Sequence, residues 1–377
     1  MKLPWSKPEM KSGESWIALA GLPGANWGRT DPATLVREGY AGNAIVYRCA
    51  RMIAEAAGSI ALQCQNDAVQ KLLKEPSPEQ SGQALIEQLY IDLQITGNAW
   101  AEAVTLPEET VPRALFGLRA DAVRVRQDDR GHVSGYALRQ KKGERLIGRD
   151  ADDWLPVLHL QLYHPGGSAY GLSPLSAARR ALDMHNGSAG WAKSLIDNAA
   201  RPSGALMYGK DGGRLTDEQF DRLKEQLTSE HTGASNAGRP LLLEGGLDWK
   251  PMSLSPAEMD FAETRHAAAR EIALAFGVPP MLLGIPGDNT YATYKEAHSA
   301  FWRLTILPLV QRTANALSVW LSGRFDDASV TPVVDQVPAF ATERDALWAR
   351  VSGADFLSDD EKRVMLGLRP REEAGRS

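Results

Sequence analysis

Two long helical stripes separated by an insert constrain this chain more than any other feature. From 174 to 199 apolar or small residues recur in heptads at Leu175, Ala178, Leu182, His185, Ala189, Ala192, Ile196 and Ala199. From Pro256 to Phe276 a second stripe runs through Met259, Ala262, His266, Ala269, Ala273 and Phe276. At 1.5 Å per residue these predict helices of about 39 and 31 Å. Helices of that length need a neighbour along the whole face. Gly187 and Gly190 each cost the first helix about 0.5–1 kcal/mol relative to alanine, which close approach of another helix offsets. The expected packing residues are Leu182, His185, Gly187, Gly190, Ala192, His266 and Ala269. Between the helices lie "PSGALMY", a turn at Lys210 to Gly213, a helix capped by Thr216 with Gln219 at the box position, and "RPLLLEGGLDWKPM". That insert reads as a small unit of its own.

The second helix ends at Gly277-Val278-Pro279-Pro280, because each proline removes a backbone donor and Pro280 forces its predecessor out of the α region. A loop follows in which Gly284 and Gly287 allow bends, while Asp288, Asn289, Thr290 and Tyr291 offer short polar groups and one aromatic ring. No lysine or arginine lies between Pro279 and Tyr294. A third helix is predicted from Tyr294 to Leu321, with Phe301, Leu304, Leu307 and Leu317 on its stripe and a kink at Pro308.

Upstream, helices are predicted from Asn43 to Ala57, ended by Gly58, and from Gln83 to Ile95, with Gly97-Asn98 turning the chain. Between about 99 and 163 the period changes to alternation. Val123 and Val125 alternate with Arg124 and Arg126, and Leu158, Leu160 and Leu162 with His159 and Gln161. Turns are expected at Asp129-Arg130-Gly131 and Lys142-Gly143-Glu144. The class is α+β with antiparallel strands. The first forty residues, with Pro4, Pro8, Pro23, Pro32 and isolated tryptophans, read as an arm, and the chain closes with a strand at Val330 to Val337 and helices at Thr342 to Val351 and Ser358 to Leu366.

With 377 residues, 43% hydrophobic, the chain is long enough for real cores. Its apolar runs fall well short of the roughly 20 residues that span a bilayer, so no membrane is expected. The start, Met1 to Pro8, has no apolar h-region and reads as no signal peptide, and Cys49 and Cys64 read as two reduced thiols suited to the cytoplasm. A formal charge of -5 argues against tight sequence-independent nucleic-acid binding, although a protein past which DNA slides could still be acidic. Phosphate-loop, dinucleotide and nucleophile-elbow signatures are missing, so no catalytic residue, metal or cofactor is expected. His159 and His164 lack a zinc-protease arrangement and read as structural. His185 and His266 sit on packing stripes, where a pairing across helices is expected. Asp152-Asp153 and Asp359-Asp360-Glu361 read as solvated turns or helix starts, and the Asn186-Gly187-Ser188 sequon means nothing without secretion.

The stretch "YGLSPLSAARRALDMHNGSAGWAKSLIDNAARPSGAL", then "LTDEQFDRLKEQL", "GRPLLLEGGLDWKPMSLSPAEMDF" and "EIALAFGVPPMLLG...NTYATYKEAHSAFWRLTILPLV", resembles the portal proteins of tailed bacteriophages. "NAIVYRCARMIAEAAGSIAL", "LQITGNAWAEAV" and "FLSDDEKRVMLGLRP" extend the resemblance over roughly residues 35 to 370. The resemblance implies a homo-oligomeric ring, usually of twelve subunits, at one capsid vertex, through which double-stranded DNA enters and leaves. It implies an arm at 1–40, a mixed α/β wing at 41–173, stem helices at 174–200 and 253–280, and a clip at 201–252. A tunnel loop at 281–293, a kinked long helix at 294–323 and a C-terminal wing or crown segment at 324–377 complete it. Gly287 to Tyr291 would meet DNA, and Arg201, Lys210, Arg214 and Arg239 would meet partners. Those partners are the terminase large subunit, a head–tail adaptor and the capsid protein, with assembly in the bacterial host cytoplasm and final residence in the virion of a phage, prophage or gene transfer agent. The rival readings are an oligomeric adaptor that never meets DNA, and a hydrolase or nuclease using His159, His164 and Asp183.

Overall fold

A computed structural model describes residues 28–107, 109–197, 204–208, 216, 218, 221–222, 225, 247–251, 261–286, 291–334 and 337–366. Its first half is organised by two antagonists of water, helices α2 (Ala44–Gly58) and α4 (Gly82–Thr96), which pack on each other. In α2, Val46, Cys49, Ala50, Ile53, Ala54 and Ala57 form the buried stripe that the 3.6-residue period dictates. Asn43 caps it by accepting from the N–H groups of Ile45 and Val46, and the helix continues through Gly58 instead of stopping before it. Helix α4 starts at the cap Ser81 and stops at Gly97, whose φ of 78° is the left-handed C-terminal conformation. A Cβ there would lie 2.5 Å from the carbonyl oxygen of Gly171, so close approach of the chain also requires glycine.

Strand β2 (Asn98–Val104) follows at once and is the centre of an antiparallel sheet, flanked by β3 (Ala114–Leu118) and β7 (Val157–Gln161). Its register pairs Trp100 with Leu118 on one side and His159 on the other. A second antiparallel sheet contains β4 (Val123–Gln127), β5 (Val133–Gln140) and β6 (Gly143–Gly148) in that order. Its inner face, with Val123, Tyr136 and Ile147, closes on Trp100, Leu118 and Val157 as a small second core. The expected turns at Gly131 and Gly143 stand where the hairpins reverse, both with positive φ.

Several elements, β3 among them, have no counterpart in the expectations from sequence. Residues assigned to the arm form a turn, α1 (Pro32–Thr34), that runs into a π-helix at Leu35–Tyr40, with Leu35 fully buried. Helix α3 (Asp67–Lys74) is short and capped by Asn66. Strand β1 (Leu62–Cys64) pairs with a strand near the other end of the chain, Val330–Pro332. The strand expected to reach Val337 spans only Val330–Pro332, after which the Val333 N–H still donates to the Ala61 carbonyl at 2.8 Å.

The long helices are less continuous than their periodicity. The first divides into α5 (Pro174–Ala177), capped by Ser173, and α6 (Arg179–Asp197). The strands β8 (Gly204–Tyr208) and β9 (Leu247–Pro251) pair with each other, and most of the remaining insert, with its expected helix, lies outside the described residues. Helix α7 (Phe261–Phe276) packs along α6, while the stretch 256 to 260 also lies outside. Downstream, α8 (Tyr291–Phe301) meets α9 (Leu307–Leu321) through a π-helix at Trp302–Ile306. That irregularity sits just before Pro308, where the missing donor and the ring's clash with the preceding turn forbid a regular α path. After β10 (Val330–Pro332) come α10 (Ala341–Ser352) and α11 (Asp359–Met365), the latter opened by a full capping box between Ser358 and Glu361.

Candidate functional site

The core side of the α6–α7 pair contains Ala181 and Leu182 from one helix and Ala268, Ala269, Ile272, Ala273 and Phe276 from the other, all buried. Small residues let the backbones approach. Leu182 and Ala269 are among these buried residues. A Cβ on Gly187 or Gly190 would meet nothing within 4 Å. Residues 252–260, next in line to α7, lie outside the described ones, and among the described residues no helix closes on this part of α6. Ala192 and His266 are half-buried.

His185 turns to the first half of the chain and not to His266. Its Nδ1 accepts from Nδ2 of Asn43 at 2.9 Å, and the same Asn43 amide donates to Oδ1 of Asn186 at 2.7 Å. The amide that caps α2 thus also ties it to α6. Accepting at Nδ1 puts the ring proton on Nε2, and burial, helped by the nearby Arg265 cation, holds the imidazole below its ordinary pKa.

Nearly two turns earlier, Arg179 makes a buried charged junction. Its side chain is only 7% exposed, with Nη2 2.5 Å from Oε2 of Glu38 and 2.6 Å from Oδ1 of Asp183. Asp183 Oδ2 also accepts from the Gly28 N–H at 2.8 Å, and Asn186 donates to the Glu38 carbonyl. The hydrogen bond from Arg179 is the first cause that holds the Glu38 carboxyl below its usual range. The π-helix and residue 28 are thereby fastened to α6. The spacing of Arg179 and Asp183, four apart on a helix, was the available signal.

Behind the α7–α8 turn, Thr305 donates to the Gly277 carbonyl at 2.7 Å, and Arg270 donates to the Pro286 carbonyl. The base of the loop is therefore anchored to α7 and to the π-helix at 302–306. Pro280–Leu283 is a 3-10 turn closed by Gly284 at φ 72°. Gly287, Asp288, Asn289 and Thr290 lie outside the described residues, and Tyr291 begins α8. Arg201, Lys210, Arg214 and Arg239 lie outside them too. Leu274 and Leu304, next in sequence to this base, are exposed at 78% and 77%, and Val319, near the far end of α9, at 77%.

A second seam joins the sheets to the far end of the chain. Arg324 binds Asp150 and Asp152, lies 5.0 Å over the Trp154 ring, and sits beside the Trp154–Trp320 stack. The two indoles exchange donors, Trp154 to the Trp320 carbonyl and Trp320 to the Leu155 carbonyl. Asp152, read as a solvated turn, is half of a clamp.

The hydrolase reading fares badly on geometry. His159 stacks on Trp100 with ring centroids 4.9 Å apart, meets the edge of Tyr136 and donates from Nε2 to Asn98 at 3.0 Å. Loss of water around the ring pushes its pKa down to about 4. His164 is occupied by the Gly166 N–H, and Asp183 by Arg179 and Gly28. A cleft of about 410 Å³ does have His164, Asp121 and Tyr170 on its walls, but neither His159 nor Asp183. Among the described residues no group of three His, Cys, Asp or Glu side chains is placed to hold a metal ion. No described helix is long and apolar enough to cross a membrane.

The chain matches the family described as phage portal protein over residues 44–367. It is 50% identical to a chain in the neck of a native gene transfer agent particle computed with C12 symmetry, covering 91% of this chain and 95% of that one with a TM-score of 0.70. An uncharacterized protein of Rickettsia felis is 41% identical over 97% of this chain and 96% of its own length. The probable portal protein of Streptomyces phage phiC31 is 28% identical over 57% of this chain and 47% of its own.

Proposed function

Because the chain belongs to the phage portal protein family, we propose that it forms the ring at the capsid vertex through which DNA is packaged and released. The observation that carries this is a similarity spread over nearly the whole fold and not confined to one motif. We assign twelve copies to the ring, by analogy with the C12 neck. The virion is its final place, and the bacterial cytoplasm is where it assembles. The ring scaffolds and does no chemistry of its own.

In this reading α6 and α7 are the stem, with Gly187 and Gly190 facing the adjacent copy instead of a helix of the same chain. Leu274, Leu304 and Val319 supply apolar surface that a neighbouring subunit would cover. The sheets of the first half, clamped by Arg324 to the C-terminal segment, are the wing. The insert at 201–252 is the clip, which docks the terminase large subunit and later a head–tail adaptor through Arg201, Lys210, Arg214 and Arg239. The capsid protein surrounds the wing. The loop from 281 to 293 points at the axis, and its lack of cations lets phosphates slide past.

The clip assignment is tested by replacing residues 201–252 with a short linker and measuring capture of the cognate terminase large subunit. Loss of capture is expected while the wing still folds. Capture at wild-type level would remove the clip from the docking surface.

A further inference from the structure

The overall charge of -5 conceals a strong segregation. Residues 123 to 149, the whole β4–β5–β6 sheet with its turns, contain eight lysine and arginine residues against the three carboxylates Asp128, Asp129 and Glu144. A stretch of net +5 is embedded in a chain whose remainder is far more acidic than the total suggests. We infer that the outer face of this sheet binds the phosphate backbone of duplex DNA, at a surface separate from the loop and the long helices.

The register determines what this face presents. Val125, Tyr136 and Ile147 share a row on the inner, buried side. The alternation of a strand then places Arg124, Ala137 and Leu146 in one outer row, Arg126, Gly135 and Gly148 in the next, and Arg139 beside Glu144 at the far end. Arg130 stands in the turn at one end of the sheet, and Lys141 with Lys142 in the turn at the other. The eight residues of β5 span about 27 Å, so the cations form a strip along the strands and not a point.

The strip is available for a ligand. Arg126, Arg130, Lys141 and Lys142 are exposed, and among the described residues none has a carboxylate within ion-pair distance. Arg124 and Arg139 pair with Glu144 at 3.3 Å and Asp121 at 3.5 Å, solvent-screened surface bridges that a phosphate readily replaces. Asp128 is occupied by the N–H groups of Arg130 and His132, which leaves Asp129 as the acidic group facing outward beside them. At the floor a Cβ on Gly148 would meet nothing within 4 Å, whereas Gly135 and Ala137 are buried and a Cβ on Gly135 would lie 2.5 Å from the Ile147 carbonyl oxygen.

Duplex DNA fits this face better than an acidic protein does. A protein interface needs apolar or aromatic anchors at its centre, and the floor offers Leu146 alone among glycine and alanine. A flat cationic strip with long flexible arms matches instead a polyanion read without regard to sequence.

The experiment is fluorescence anisotropy of the full-length protein with a labelled duplex of arbitrary sequence across a KCl series. Wild type is compared with Arg126→Glu/Arg130→Glu and with Lys141→Glu/Lys142→Glu, which alter opposite ends of the strip at exposed positions. Four phosphate contacts predict a slope of log K against log salt of about -3.6, and each double reversal is expected to flatten it by about 1.8. Duplexes of different sequence should bind alike, and polyglutamate of equal charge should not compete. The inference is overturned if both reversals keep the wild-type slope, if polyglutamate competes as well as duplex, or if no duplex binds at low salt. It is also overturned if the reversals abolish ring formation seen by electron microscopy while protomer affinity for duplex is unchanged, since the face would then be a subunit contact. Ring formation by wild type is read in the same images, so this surface can fail while the portal assignment stands.

Discussion

Replacing His159 with glutamine should change how stability depends on pH, because the structure places an imidazole where only its neutral form is comfortable. Its ordinary value is 6.5, and loss of water around the ring between Trp100 and Tyr136 lowers it to about 4. Between those limits the unfolded chain binds a proton that the folded chain refuses. Stability from this residue is therefore complete above about pH 6.5 and lost as pH falls toward 4, by up to about 3 kcal/mol at 1.36 kcal/mol per pH unit. Asp92 works in the opposite sense. Burial first, and then the Asp121 carboxylate, raise its pKa from 3.8 to about 7, so it is a cost at neutral pH that acid relieves, up to about 4 kcal/mol. The two nearly cancel in the wild type, whereas each variant exposes the other. Urea unfolding at matched protein concentration between pH 4.5 and 7.5 would measure this. His159→Gln should lose ground to wild type at neutral pH and regain about 2–3 kcal/mol of the difference on acidification. Asp92→Asn should gain at neutral pH and lose the gain in acid. A difference between His159→Gln and wild type that stays constant across the range would refute the reasoning.

Gly190→Leu should raise protomer stability by about 0.5–1 kcal/mol, since leucine is the better helix former and its Cβ would meet nothing within 4 Å, yet reduce the yield of rings counted by electron microscopy. Unchanged ring yield would remove this stretch of α6 from the subunit seam. Arg179→Met should lower unfolding free energy by about 2–3 kcal/mol in urea titration, as Glu38 and Asp183 lose their charged donor. A change below about 0.5 kcal/mol would show that the junction is not energetically important. Asn289→Arg should leave rings intact but slow DNA packaging at low salt, with recovery as salt rises. Equal packaging rates at low salt would mean that the loop does not meet DNA.

Much of the fold was legible where one side of an element meets one core. The start of α2 at Asn43 and the end of α4 at Gly97 were legible because those preferences act within three or four residues, whereas the Ser81 cap that starts α4 was not read. Hairpins at Gly131 and Gly143 were equally local. What could not be read was partnership over distance. Strand β1 has only three residues, and its stability comes from Val330–Pro332 at the other end of the chain, which no local period records. The clamp of Arg324 on Asp150, Asp152 and Trp154 is invisible for the same reason. Heptads overstated continuity at Ala178, because a stripe of small residues continues through a break in backbone geometry. They also assigned Gly187 and Gly190 a neighbour that the described residues do not supply. The net charge, a sum over 377 residues, does not show the cationic sheet at 123–149.

Electron microscopy of the purified protein, with rotational symmetry determined from end-on views, shows directly whether the chain closes into a portal ring. Closed rings with twelvefold symmetry and an axial channel wide enough for duplex DNA are expected, with α6 and α7 beside the channel and the sheets at the rim. Monomers, closed particles without an axial channel, or rings with the β4–β5–β6 sheet lining the axis in place of the helices would contradict this expectation.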